Sequence, residues 1–193
     1  MRTRIAQAYP SAAVVEAELN RLNYQAKCRQ LITKTIAITV AYISIIGVST
    51  TLWFPILQIY GNSMSPALQD GDMVLCIKTK EASQGDIITF YHDNKLLVKR
   101  VIGLSGDVIA IDNDGTVSVN HLLLDEPYIP ESSRGMVTVE LPMQVPNDTY
   151  FVLGDKRATS LDSRSQEVGC IPKERVLGKV IFRFWPLTRF GPM

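Results

Sequence analysis

From Thr35 to Gln69 the chain carries no charged residue. The apolar part of this run, Thr35 to Phe54 (TIAITVAYISIIGVSTTLWF), is 20 residues long. A helix needs about 20 residues to cross a hydrocarbon core of about 30 Å. A basic flank precedes the run: Arg2, Arg4, Arg21, Lys27, Arg29 and Lys34 stand against only Glu16 and Glu18. That asymmetry keeps the N-terminus in the cytoplasm. Trp53 and Phe54 fall where an interfacial aromatic belt lies, and Pro55 ends the helix. A removable signal peptide fits less well. Its n-region would be the whole of residues 1–34, its apolar core is too long, and no small-x-small cleavage site follows directly. The expectation is a single-pass anchor in the cell membrane over residues 35–54. Residues 1–34 then form a cytoplasmic segment and residues 55–193 an extracytoplasmic domain.

Within the first segment, Ser11 follows Pro10 as an N-cap, and Val14, Val15, Leu19 and Leu22 recur at helical spacing. This reads as a cationic amphipathic helix. The formal net charge of +1 gives no support for a nucleic-acid partner. The three cysteines, Cys28, Cys76 and Cys170, have no C-x-x-C spacing. Cys76 and Cys170 are expected as two buried free thiols rather than a disulfide.

After Asp70 short apolar runs alternate with turn signals. They are Met73–Ile77, Asp86–Tyr91, Leu96–Ile102, Val108–Ile111, Thr116–Val119, Val137–Leu141, Tyr150–Leu153 and Lys179–Trp185. Breakers such as Gln84-Gly85, Asp93-Asn94 and Ser105-Gly106 lie between them. The fold class is mainly β: an antiparallel β-sheet domain behind one N-terminal transmembrane helix. Asp112–Gly115 joins two alternating runs as a hairpin turn, and no long helix follows the anchor.

Three clusters carry candidate chemistry. Gly61-Asn62-Ser63-Met64-Ser65-Pro66-Ala67-Leu68 reads either as a turn or as a nucleophile just outside the membrane. Nine positions separate Phe54 from Ser63, so an extended link reaches at most ~30 Å. The two histidines, His92 and His121, lie beside turns, and His92 is expected to face solvent. No serine sits in a G-x-S-x-G elbow, and two isolated histidines are too few for a zinc site. No metal or cofactor is expected. A serine can instead be activated by an amine. Lys99 stands within Leu96-Leu97-Val98-Lys99-Arg100-Val101-Ile102, where apolar burial would lower its pKa. It reads as such a base or as an edge-strand solubility charge. The third cluster, Gly154–Arg164 (GDKRATSLDSR), reads as an exposed polar loop or as groups that orient an amine through Ser160 and Asp162, with Arg164 holding Asp162.

In this order, behind an N-terminal anchor, the clusters resemble bacterial type I signal peptidases, the Ser/Lys-dyad endopeptidases. GNSMSPAL is similar to their S-M-x-P nucleophile box, QGDIITFY (84–91) to the G-D-I-v-x-F strand, KRVIGLSGD (99–107) to the general-base box, and GDKRATSLDSR to G-D-N-R-x-x-S-x-D-S-R. Gly178-Lys179 through Trp185-Pro186-Leu187 resembles the closing strand. The resemblance covers residues 35–191. A lysine base resembles the bacterial type rather than the endoplasmic-reticulum type.

The resemblance implies roles. Ser63 is the nucleophile and Lys99 the general base. Ser160 helps orient the amine, Asp162 and Arg164 form a supporting pair, and Asp155 pairs with Arg100. The Ser63 N–H holds the oxyanion. Gly61 stands where some members place a second, hydroxyl donor, so that donor is backbone or absent. Ile59, Met64, Leu68 and Val98 line shallow pockets for small P1 and P3 side chains. Substrate adds as a strand between Leu57–Asn62 and Leu96–Val98. Ala67 replaces the usual Thr, Ser105 the usual Pro, Lys156 the usual Asn and His121 a common Gly. Lys156 either lowers the Lys99 pKa further or points into solvent. The expected partners are preprotein signal peptides and the lipid bilayer, with the enzyme a monomer. The competing readings are an autoprotease domain like that of the SOS repressors and a membrane-anchored β module without activity.

Overall fold

The computed structural model describes residues 12–129, 133 and 135–193. The expected N-cap Ser11 and the cations Arg2 and Arg4 lie outside them. The chain divides into two compact units, Met1–Ser49 and Thr50–Met193.

Helix α1, Ala12–Trp53, is a single element, so the described part of the basic segment, residues 12–34, and the apolar run are one helix. It stops just before Pro55, whose ring and missing N–H cannot continue it. At 1.5 Å per residue its 42 residues reach about 63 Å, more than a bilayer core needs. Ile36, Ile38, Tyr42, Ile43 and Ile45 are all exposed. Among the described residues α1 is the one helix long and apolar enough to cross a membrane.

The second unit is built from twelve strands: β1 Ile56–Gln58, β2 Met73–Ile77, β3 Ile87–His92, β4 Lys95–Gly103, β5 Val108–Ile111, β6 Val117–Val119, β7 Leu122–Leu123, β8 Met143–Gln144, β9 Thr149–Leu153, β10 Ile171–Pro172, β11 Val176–Trp185 and β12 Gly191–Pro192. The larger sheet runs β1-β2-β11-β3-β4-β9-β10, with β12 added to β11. The smaller runs β7-β6-β5-β8. Every pairing is antiparallel, as the alternating runs predict. The Asp112–Gly115 hairpin pairs Ile111 with Val117, closed by a bond from the Gly115 N–H to the Asp112 carbonyl at 3.0 Å.

One expected strand is absent. Among the described residues Val137–Leu141 joins no sheet; the amides of Thr138 and Val139 both donate to the Arg164 carbonyl, at 2.8 and 3.2 Å. This backbone braces the third sequence cluster instead of joining a sheet, and Pro142 behind it has no N–H to extend a ladder.

Three apolar clusters form the core. Ile88, Phe90, Val101, Tyr150, Val152 and Val168 pack on one side of β3, β4 and β9. Ile102, Ile109, Val119, Phe151 and Leu153 join the two sheets. Ile59, Met64, Leu68, Val74, Cys76, Ile87 and Val180 lie under the loop that carries Ser63. Each fully buried side chain of this size contributes roughly 1.5–3 kcal/mol relative to exposure. The third cluster therefore fixes the loop's floor. Cys76 and Cys170 are both free, and burial pushes the Cys76 thiol up to about 12.

Candidate active site

Ser63 sits in the turn between β1 and β2. Met64 and Leu68, both fully buried, pin that turn from below, and the Leu68 N–H donates to the Met64 carbonyl at 2.8 Å. Gly61 enters it at φ +83°, a left-handed conformation that L side chains rarely adopt, with its N–H on Asp70 Oδ1 at 2.7 Å. A residue with a Cβ here would strain the turn, so a hydroxyl donor at this position conflicts with the backbone. From the far side, the Lys156 N–H donates to the Ser63 carbonyl at 3.0 Å. The Ser63 N–H has no hydrogen-bond partner among the described residues.

Lys99 lies mid-strand on β4, opposite the fully buried Ile88 of β3. It is only 3% exposed, and its Nζ donates to Ser63 Oγ at 2.7 Å. Burial lowers its pKa from 10.5 to about 8, outweighing the opposite pull of Asp162 and Asp155; Arg164 acts in the same direction as burial. The mechanism is loss of hydration by the ammonium. An amine with a pKa near 8 is in part neutral near pH 7, as a general base requires.

The Gly154–Arg164 loop is the frame. Asp162 and Arg164 are buried and meet through two bonds of 2.8 Å, from Arg164 Nε and NH2. Asp162 Oδ2 also takes the Gly154 N–H at 3.0 Å. Arg100 donates to Asp155 at 2.9 and 2.7 Å and stacks over Tyr128, 3.9 Å from the ring centre. Neighbouring residues on a strand project to opposite sides. The two adjacent cations accordingly have separate partners: Lys99 the Ser63 hydroxyl, Arg100 the Asp155 carboxylate of the frame.

Several expectations change. No bond links Ser160 to Lys99: the Ser160 Oγ is buried and unpartnered, packed against Gly154. Lys156 is exposed and is not among the charges acting on Lys99; it contributes its backbone N–H instead. Ile59, Met64 and Val98 line a groove of about 540 Å³ with Leu57, Leu96 and Ser63. Leu68 does not line it, being wholly buried in the cluster beneath, where it fills the floor of the turn. The groove has strand edges on two sides. Among the described residues β1 pairs only with β2, and residues 95–99 of β4 pair only with β3.

Two ion pairs join positions that no single sequence box holds together. Arg157, buried, donates to Glu126 through NH1 at 2.9 Å and through NH2, while its Nε holds the Gly154 carbonyl at 3.1 Å. Tyr128 donates to the same Glu126 at 2.7 Å, so one carboxylate ties Arg157 to the ring under Arg100. Buried Asp72 takes Arg189 at 2.6 Å, while Arg183 holds the Ala67 carbonyl at 2.6 Å. The Ser63 turn is thereby tethered to β11 and the residues after it.

The model of the family described as signal peptidase, peptidase S26, matches residues 32–185. Signal peptidase IB of Staphylococcus aureus is 35% identical over 182 residues, which cover 84% of this chain and 93% of the relative. Signal peptidase I of Bacillus licheniformis is 36% identical over 165 residues, covering 79% and 87%. A crystal structure of a signal peptidase I from Enterococcus faecalis aligns at 28% identity over 51% of this chain and 96% of its own, with a TM-score of 0.44. With a family match over about four-fifths of its length and relatives more than one-third identical, the chain belongs to the signal peptidase family, peptidase S26, whose type I members are serine proteases that remove signal peptides.

Proposed function

We propose that the chain is a membrane-anchored endopeptidase in which Ser63 is the nucleophile and Lys99 its general base, cutting preproteins after a small P1 residue. The observation that carries this reading is the 2.7 Å contact between Nζ and Oγ, made by a lysine that burial holds near pKa 8.

In the neutral-amine form the serine O–H donates to Nζ. Oγ attacks the scissile carbonyl carbon as its proton passes to Nζ. The oxyanion is received by the unpartnered Ser63 N–H. Collapse of the tetrahedral adduct breaks the C–N bond, and Nζ returns the proton to the leaving amine. Water then attacks the acyl ester, again giving its proton to Nζ, and collapse of this second adduct breaks the C–Oγ bond as Nζ returns the proton to Ser63 Oγ. Asp162, Arg164, Asp155 and Arg100 hold the loop that supports both reacting groups.

The substrate's extended cleavage region adds as a strand between the free edges of β1 and β4. Ile59, Met64 and Val98 bound the room for its side chains. Residues 35–54 span the cell membrane with residues 1–34 cytoplasmic, on the strength of the basic flank. Residues 55–193 then work on the outer side, and Ile56, Trp185, Leu187 and Phe190 offer exposed apolar contact to lipid.

The test is cleavage of a precursor with Ala at P1 and P3 by Ser63→Ala and Lys99→Ala enzymes. Each is expected to lose turnover by at least about 10³-fold. Substantial turnover surviving either change would sink the dyad.

A further inference from the structure

His92 closes β3, and the positive-φ pair Asp93 and Asn94 turns the chain into β4. The sequence suggests a solvent-facing imidazole here, yet the side chain is only 10% exposed. Neither Nδ1 nor Nε2 has a hydrogen-bond partner among the described residues. Leaving buried polar atoms unpaired costs about 1–3 kcal/mol, so such a ring calls for an explanation.

Two carboxylates face it. Asp93 Oδ2 lies 3.4 Å from Nε2. Glu167 comes from the turn just after the Asp162–Arg164 pair. One ligand atom each from His92, Asp93 and Glu167 lies within 4.8 Å of the others. Neither carboxylate pairs with a lysine or arginine among the described residues. The 165–169 turn is held in place beside β3. The Glu167 N–H donates to Ser165 Oγ at 3.2 Å, and Val168 packs in the cluster that contains Phe90 of β3.

We propose that His92, Asp93 and Glu167 bind a divalent first-row cation of the Zn²⁺ type. Metal–nitrogen and metal–oxygen bonds of about 2.0–2.2 Å put ligand atoms about 3–4 Å apart, a small contraction from the spacing seen. One imidazole and two carboxylates form a mixed N/O set that suits Zn²⁺, and their two negative charges balance it. The exposed carboxylates leave the remaining positions to water. The cation takes no part in peptide hydrolysis. It clips the β3–β4 tip to the 165–169 turn, joining the strand that walls the groove to the loop that frames Lys99. Sequence spacing hides the site because Glu167 lies far from His92 along the chain.

The test is calorimetric titration of Zn²⁺ into the full chain in detergent micelles, after stripping with a chelator. One Zn²⁺ per chain is expected. Losing even an outer partner of a metal ligand costs about 10–100-fold in affinity. His92→Gln and Glu167→Gln are therefore each expected to weaken binding at least about tenfold, with His121→Gln unchanged. Amide exchange over residues 92–96 slows with Zn²⁺ in the wild type. Glu167 is exposed, so Glu167→Gln decides the matter even if His92→Gln fails to fold. Absence of one-to-one binding, as a plain His92–Asp93 ion pair would give, overturns the proposal. So does binding that Glu167→Gln leaves unchanged.

Discussion

The backbone N–H of Lys156 donates to the carbonyl of Ser63 at 3.0 Å, locking the Ser63 turn to the frame loop. Gly154 makes this approach possible. A Cβ there would lie 2.7 Å from the Ser63 carbonyl oxygen and run into the Ser160 side chain. Gly154→Ala is expected to push Ser63 off its position opposite Lys99. Displacements near 1 Å cost about 10²-fold in rate, so kcat should fall about that much with the protein still folded. Precursor cleavage alongside circular dichroism checks it.

The Lys156 side chain, by contrast, is exposed and only its N–H serves the site. Lys156→Asn should therefore leave kcat/KM and its pH dependence unchanged, with stability within about 0.5 kcal/mol of wild type. A shifted pH profile would give the side chain an electrostatic part after all.

Asp155 is fully buried against Arg100. Removing one partner of such a pair strands the other, at about 3–5 kcal/mol. Asp155→Ala should destabilise by about that amount in guanidinium denaturation. The double variant Arg100→Met/Asp155→Leu, which removes both charges, should lose less than Asp155→Ala alone.

Lys99 itself should cost stability. Its folded pKa, about 8, lies below its unfolded value of 10.5, so between these the unfolded chain binds more protons and wild-type stability rises with pH. Lys99→Met should stabilise the protein most below about pH 8. That gain should shrink by about 3 kcal/mol as pH climbs to about 10.5. Denaturation midpoints across this range measure it.

Met73–Ile77 and Val108–Ile111 were legible in the sequence because each is a continuous apolar run of strand length bounded by turn residues, although only the fold shows which of their side chains alternate into the core. β7, β8, β10 and β12, of two residues each, are too short to carry one. Val137–Leu141 looks like a strand by composition, but its amides go to Arg164, a partner no local pattern reveals. The same reasoning separates the site residues. Ser63, Lys99 and the Asp162–Arg164 pair stand in compact boxes. Glu126–Arg157 and Asp72–Arg189 join positions 31 and 117 apart, which only the fold brings together. Leu68 shares a box with Ser63, yet the turn rotates it into the core. His92 borders a turn, but the packing of Val168 against the Phe90 cluster covers that end of β3.

The most direct measurement is kcat/KM for precursor cleavage from about pH 6 to about pH 10, the range in which a general base reveals its pKa. A lysine held by burial beside Ser63 predicts a single ascending limb with an apparent pKa near 8, levelling above it. A profile flat through this range, or one that rises only near the ordinary lysine value of 10.5, would contradict Lys99 as the base.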